Sequence, residues 1–444
     1  MTAFFPSFAP SRWMLARLCA VCSLFLIPIS TAGVNVLAPL MVVIMLTCRR
    51  FWDAAGALRH NKLAAAATGL FVLLAMSLLW DVSPVHESMS ILLKYRKLLY
   101  LPFLLILFDD AAWRRLAMLV LLASLTLVLI LSCTNWLGLT HVGQLYAPDP
   151  IRSSWVFKHH ITQGIFTALL VYLALTLATL PQNPALAGRV RLPAGVRALC
   201  AGIVPLALIN LFLIQQGRTG QVLVLPLMVL WSWQTFLRGR PLQLGRIAVT
   251  LGFAIAIAGG ALAYVSHHKA SRMAEVNTEI QNYENHGEVT SMGLRLEFYK
   301  RSLHLIAQRP VFGSGVGSVE SQFQEMTAGH AGAQGILTAN PHNEYLMMSV
   351  QLGAIGLAAF LWLLWQLWQT SLRTPSLEGV FSAGYVVAFA AACAANSLLL
   401  DFPEGHLLIF LAGILLAGVA PTTKPLHNHV RQTDGHHPDA QRSA

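Results

Sequence analysis

Residues 113–138 read WRRLAMLVLLASLTLVLILSCTNWLG: one tryptophan and two arginines, then an apolar run without a charge. A helix needs roughly twenty apolar residues to cross the hydrocarbon of a bilayer, and this run supplies them. Further runs lie at 14–31, 33–48, 63–80, 91–108, 161–180, 197–215, 220–237, 247–265, 344–369, 377–400 and 405–420. Together they predict an all-α, polytopic integral membrane protein with about twelve transmembrane helices. Composition points the same way, because 56% of the 444 residues are hydrophobic and only 11% are charged. A soluble domain carries about a quarter charged residues, so lipid is the solvent for most of this chain.

The distribution of Lys and Arg sets the expected orientation. Every second loop is basic, through Arg49, Arg50, Arg59 and Lys62, then Arg114 and Arg115, Arg189, Arg191 and Arg197, Arg238, Arg240 and Arg246, and Arg373. With Arg12, Arg17 and the tail residues Lys424, Arg431 and Arg442, this alternation predicts that both termini are cytoplasmic. The run after Arg12 and Arg17 lacks a clear small-residue cleavage pattern and reads as a retained first helix. The formal net charge of +11 thereby finds its explanation in topology, and nucleic acid is not an expected partner. The six cysteines lie within or at the ends of apolar runs, and no two CxxC units combine into a zinc site. They read as packing residues. No metal and no cofactor are expected.

Four parts follow: a membrane domain over 1–265, a large outward loop over 266–343, a second membrane segment over 344–420, and a polar, His-rich tail over 421–444 that reads as disordered. Within the loop, GLRLEFYKRSLHLIAQ (293–308) groups Leu294, Phe298, Leu305 and Ile306 near one helical face, away from Arg295, Lys300 and Arg301. That pattern predicts an amphipathic helix lying against the membrane.

Polar residues on the outward side stand out from the apolar background. Lys158, His159 and His160 open the sixth run, and QQGRTGQ (215–221) forms a hairpin with Arg218 at membrane depth, where a guanidinium needs an anion or water beside it. RPVFGSGVGS (309–318) has a G-x-G-x-G spacing that reads as a turn or as a bend near phosphate. NPHNEY (340–345) leads into the tenth run, with Pro341 fixing the backbone ahead of His342 and Asn343 placed to cap the helix. An imidazole beside arginines suits a general base. Asp401 and Glu404 fall on the same side as expected ion-pair partners of the arginines. A basic outward face suits an anionic substrate such as a pyrophosphate.

The order and side of these elements resemble the O-antigen ligase family, which shares its membrane domain with O-antigen polymerases. The resemblance covers most of the chain: the spans, a large late loop, the hairpin arginine Arg218, Arg295 in the loop helix, and PHNEY before the next span. It implies a multi-pass protein of the bacterial inner membrane with a periplasmic active site. The implied activity is metal-independent, inverting transfer of O-antigen polysaccharide from undecaprenyl pyrophosphate to the lipid A core oligosaccharide, completing lipopolysaccharide. Carried over by motif, His342 is the catalytic histidine, and Arg218 and Arg295 bind the pyrophosphate. Lys158, His159, His160, Arg152, Gln216, Asn343 and Tyr345 are second-rank candidates for substrate binding. The outward loops offer no DxD pair to hold a metal, so arginines take over charge compensation. Two competing readings are a polymerase acting on undecaprenyl-pyrophosphate repeats and, from a different class, a polar-lipid transporter.

Overall fold

The structure is a computed structural model that describes residues 10–143, 154–183, 186, 190, 192–215, 217–238, 245, 248, 252, 260 and 275–417. Every regular element among them is helical. In chain order these are α1 (Arg12–Leu26), α2 (Thr31–Leu46), α3 (Arg49–Ala55), α4 (Lys62–Met76), α5 (Val85–Tyr95), α6 (Tyr100–Leu107), α7 (Ala111–Trp136) and α8 (His160–Ala178). They continue with α9 (Ala194–Ile209), α10 (Arg218–Ser232), α11 (Glu275–His286), α12 (Ser291–Gln308), α13 (Ser318–Thr327), α14 (Glu344–Arg373), α15 (Leu377–Ala392) and α16 (Phe402–Leu415). Several starts carry the side-chain caps expected of polar residues preceding an apolar run. Ser11, Asn61, Asp110, Thr290 and Asn343 each accept a hydrogen bond from a first-turn N–H.

Among the described residues, six helices are long and apolar enough to span a bilayer: Lys62–Leu79, Ala111–Trp136, His160–Ala178, Ala194–Ile214, Arg218–Leu237 and Glu344–Arg373. A pair bent by 84°, Thr31–Leu46 with Arg49–His60, makes a seventh if taken as one span, while α15 and α16 are shorter apolar helices. The expected run at 247–265 falls mostly, and the 421–444 tail wholly, outside the described residues. The run at 91–108 is divided, with α5 and α6 separated by a 3₁₀ turn at Arg96–Leu99. Lys97 sits in that turn and is buried, and its ammonium donates to the carbonyls of Leu400 at 3.3 Å and Asp401 at 2.5 Å. Pro102, lacking an N–H, sits in the first turn of α6, where no intrahelical hydrogen bond is lost.

The centre of the bundle is α8, whose apolar window is 83% buried, as a helix apolar on every side must be. It crosses α10 so closely that a side chain on Gly220 would strike the backbone of Gly164, with its Cβ 2.5 Å from the Gly164 carbonyl carbon. Small residues at a crossing let helix backbones touch, a common device where lipid offers no hydrophobic drive to association. The consequence is local: the starts of α8 and α10 are brought side by side.

Basic residues gather at the opposite end. Arg17 and Arg50 both reach Asp109 at 2.5 Å, Arg114 lies 3.7 Å from Glu378, and Arg238 donates to the carbonyl of Leu372. These contacts tie together the starts of α1, α3, α7 and α15 and the ends of α6, α10 and α14.

The G-x-G-x-G stretch is structural. α14 breaks at Gly353, whose φ of 63° and ψ of −154° belong to a region that essentially only glycine occupies. Residues 310–315 fill the break: Ser314 N–H donates to Val350 O and Gly315 N–H to Gln351 O, both at 2.9 Å, and Ala354 N–H donates to Pro310 O at 2.8 Å. Gly317 N–H is taken by Asp81 Oδ2 at 2.7 Å. These amides serve the kink and are not arrayed for a phosphate. The loop helix is also anchored by polar contacts within the loop. Arg301 is buried and donates to Ile336 O and Glu297 Oε1 at 3.1 Å and 3.0 Å, so α12 packs as an internal element of the loop.

Gly353→Ala should destabilise the protein by roughly 1–3 kcal/mol, since a non-glycine residue there is strained and its Cβ would lie 2.7 Å from Phe312 N. Thermal unfolding in detergent reads this directly, and an unchanged midpoint would mean that the kink does not exist in solution.

Candidate active site

The starts of α8 and α10, the first half of α12 and the turn before α14 enclose a cavity of about 330 Å³. Its polar wall consists of His159, His160, Arg218, Thr219, Ser291, Arg295 and His342, and Ile161, Leu294 and Phe298 supply the apolar part. Four segments distant in sequence thus contribute cationic or titratable groups to one space.

His342 is the one non-glycine residue with a positive φ, 54°, among the described residues. A left-handed backbone costs an ordinary residue roughly 1–2 kcal/mol, so neighbours must hold it. Its N–H donates to Asn340 Oδ1 at 2.7 Å, and the Tyr299 hydroxyl lies 3.3 Å from its carbonyl and 2.9 Å from that of Ala394. On the far side, Asn343 Nδ2 donates to Ala394 O and Glu344 N–H to Cys393 O, both at 2.9 Å. The buried Glu344 carboxylate accepts from Leu399 N–H at 2.7 Å, fastening the turn to the segment between α15 and α16. The imidazole lies near-parallel to Phe298, with centroids 6.1 Å apart and planes 25° apart.

Burial lowers the His342 pKa from the usual 6.5 to about 4, and the charges of Arg295 and His159 push the same way. At neutral pH the ring is therefore unprotonated and able to accept a proton. Burial also lowers the Arg295 pKa from its ordinary value, with Tyr299 opposing and Arg218 reinforcing that shift.

Arg218 is held by acids of α11. Its Nη1 and Nη2 both bond Glu279, the first at 3.1 Å to Oε2, and Nη2 also lies 3.4 Å from Glu275 Oε2. Its buried Nε–H has no hydrogen-bond partner among the described residues. His159 and His160 pack with rings tilted by 43° and centroids 3.9 Å apart, beside Trp155. Gln215 Nε2 donates to His160 O at 2.8 Å, linking the hairpin to the start of α8.

Of the residues singled out from sequence, His342, Arg218, Arg295, His159 and His160 share the cavity wall. Three others turn elsewhere. Lys158 reaches Thr31 Oγ1 at 2.6 Å, Asn343 caps α14 through Leu346 N–H at 3.1 Å, and the Tyr345 hydroxyl bonds Ala390 O at 2.7 Å. Arg152 and Gln216 lie outside the described residues. Asp401 and Glu404 form no ion pair with an arginine among the described residues; Glu275 and Glu279 take that part for Arg218. Ser291 was not singled out in the sequence, and Arg295, expected away from the apolar face of Phe298, shares the cavity wall with it because residues three and four apart lie on one helical face.

The fold and site define a multi-helical membrane protein with a half-buried, cationic cavity at one end of its helices. Residues 201–361 match the family model described as O-Antigen ligase, so this part of the chain is similar to that family. The matched region includes Arg218, Arg295 and His342 and stops short of His159 and His160. The match supports a protein of the general ligase and polymerase type. No curated protein matches the chain significantly.

With ring-labelled histidine, the resonance lost in His342→Gln should titrate near pH 4 in unliganded protein. Arg295→Gln removes a positive neighbour and should move that midpoint upward, by less than the full shift because burial is the largest cause. A midpoint near the free-imidazole value would contradict the buried, cationic setting.

Proposed function

We propose that the protein is an O-antigen ligase that moves a completed polysaccharide from undecaprenyl pyrophosphate to a sugar hydroxyl of the lipid A core. The observation that carries this reading is the meeting of His342, Arg218 and Arg295 around one cavity within the family-matched region. The strong clustering of Arg17, Arg50, Arg114 and Arg238 at the other end supports a cytoplasmic assignment for that end. The cavity then opens to the periplasm, at the outer face of the bacterial inner membrane.

The chemistry follows from charge and proton flow. The acceptor hydroxyl attacks the anomeric carbon from the face opposite the diphosphate, so one C–O bond forms as the other breaks and the configuration inverts. His342 takes the hydroxyl proton, for which its low proton affinity at rest leaves it unprotonated. A departing diphosphate gathers negative charge as the bond breaks. Arg218 and Arg295 stabilise that charge without help from a metal, because fixed guanidinium donors in a water-poor cavity are already oriented and lose little to reorganisation. The proton affinity of His342 rises as the diphosphate develops charge nearby, which drives transfer in the direction needed. His159 and His160, on the adjacent wall, are placed to contact the sugar or the diphosphate.

His342→Ala should lower ligation by on the order of a hundred- to ten-thousandfold, the usual contribution of a general base, while leaving expression and insertion intact. A gel assay of purified protein with undecaprenyl-pyrophosphate glycan and lipid A core measures this, and near-normal product formation would sink the assignment. The same assay with a second lipid-linked repeat as acceptor separates the readings, since chain extension there in place of ligation would mean a polymerase.

Arg218→Lys keeps the charge but loses the two-pronged donor geometry, and should lose most of the activity. Full activity would show that only diffuse surface attraction is required at this position.

A further inference from the structure

Arg218 is engaged even though the cavity around it is built of donors. α11 lies across it, and the Glu279 carboxylate bonds both terminal nitrogens of the guanidinium. This is the two-pronged geometry by which arginine recognises carboxylates and phosphates alike. Glu279 Oε2 accepts a further bond, 2.9 Å, from Met292 N–H in the first turn of α12, beside Ser291 of the cavity wall and one turn before Arg295. The Thr290 hydroxyl donates to Glu279 O at 2.9 Å, and Glu275 brings a second carboxylate within 3.4 Å of Arg218. An acid is thus seated where three anion-binding N–H groups converge.

Two roles are open to such an acid. A pure orienting partner would leave the outer edge of the guanidinium exposed to the substrate. Here carboxylates engage three of the four terminal N–H groups, and the buried Nε–H has no partner among the described residues. A diphosphate arriving at Arg218 would meet two carboxylates of its own sign, and like charges at a desolvated contact repel.

We propose that Glu279 is an internal surrogate for the donor's diphosphate, holding Arg218 and the start of α12 in binding geometry until the diphosphate displaces it. This rests on the reading of Arg218 as a pyrophosphate ligand and extends it. Donor binding exchanges one anion for another at Arg218 and releases α11 from α10. After transfer, the tethered carboxylate competes with the lipid diphosphate product at high effective concentration and assists its departure. The pairing also gives Arg218 a counter-charge while the cavity is empty.

The test uses full-length protein in nanodiscs with undecaprenyl pyrophosphate as the probe. Glu279→Gln keeps an acceptor for Met292 N–H but removes the competing charge, and should tighten binding by about two- to tenfold, the scale of one partly exposed ion pair. In an Arg218→Ala background the same change should have no effect. If Arg218→Ala weakens binding but Glu279→Gln leaves it unchanged or weakens it, the surrogate role is overturned and Glu279 merely orients the arginine. If Arg218→Ala binds the probe as well as wild type, the pyrophosphate reading of the site itself is what fails. A second measurement needs no variant: amides of residues 275–286 should exchange faster when the probe is added to wild-type protein. Unchanged or slower exchange there would also overturn the proposal.

Discussion

A guanidinium taken out of water needs an anion, and the architecture at one end of this protein is organised by that requirement. Arg218 begins α10 where the helix enters the apolar bundle, with its side chain 15% exposed. Without a counter-charge, its desolvation would cost several kcal/mol. Glu279 and Glu275 supply the counter-charge from α11, and through Met292 the same carboxylate fixes the start of the helix that carries Arg295. One electrostatic need thereby links α10, α11 and α12.

The opposite wall of the cavity is set by backbone geometry. His342 occupies a left-handed conformation because Pro341 and Asn340 precede it and the capped start of α14 follows it, leaving the turn little room to relax. Strain of this kind persists when the surroundings over-determine it. Here the buried Glu344 and the Tyr299 hydroxyl secure the turn to the segment between α15 and α16. The break at Gly353, filled by the 310–315 strip, sits in the same helix and ties the rest of the loop to it. The loop is therefore part of the folded body, and the imidazole is held from two directions.

Close approach of α8 and α10 completes the site. Gly220 lets its backbone touch that of Gly164 where a side chain on Gly220 would intrude, and His160 and Arg218 are carried to the cavity by the turns just above them. Gln215, bonded to the His160 carbonyl, locks the hairpin in register with α8.

The sequence by itself determined the all-helical, membrane-embedded character and the basic end of the bundle, and it marked Arg218, Arg295 and His342 as polar exceptions. The reason is that hydrocarbon makes each segment satisfy its own backbone, so local apolarity and the sign of flanking charge are enough. Only the tertiary structure decided which polar groups meet. Arg218 pairs with Glu279, 61 residues away, and not with Asp401 or Glu404. Lys158 leaves its two histidines for Thr31, 127 residues away, and Lys97 divides an apolar run by reaching for carbonyls more than 300 residues on. Helical periodicity records which face of a segment is apolar, but a buried charge takes its partner from whatever the packed fold brings within reach.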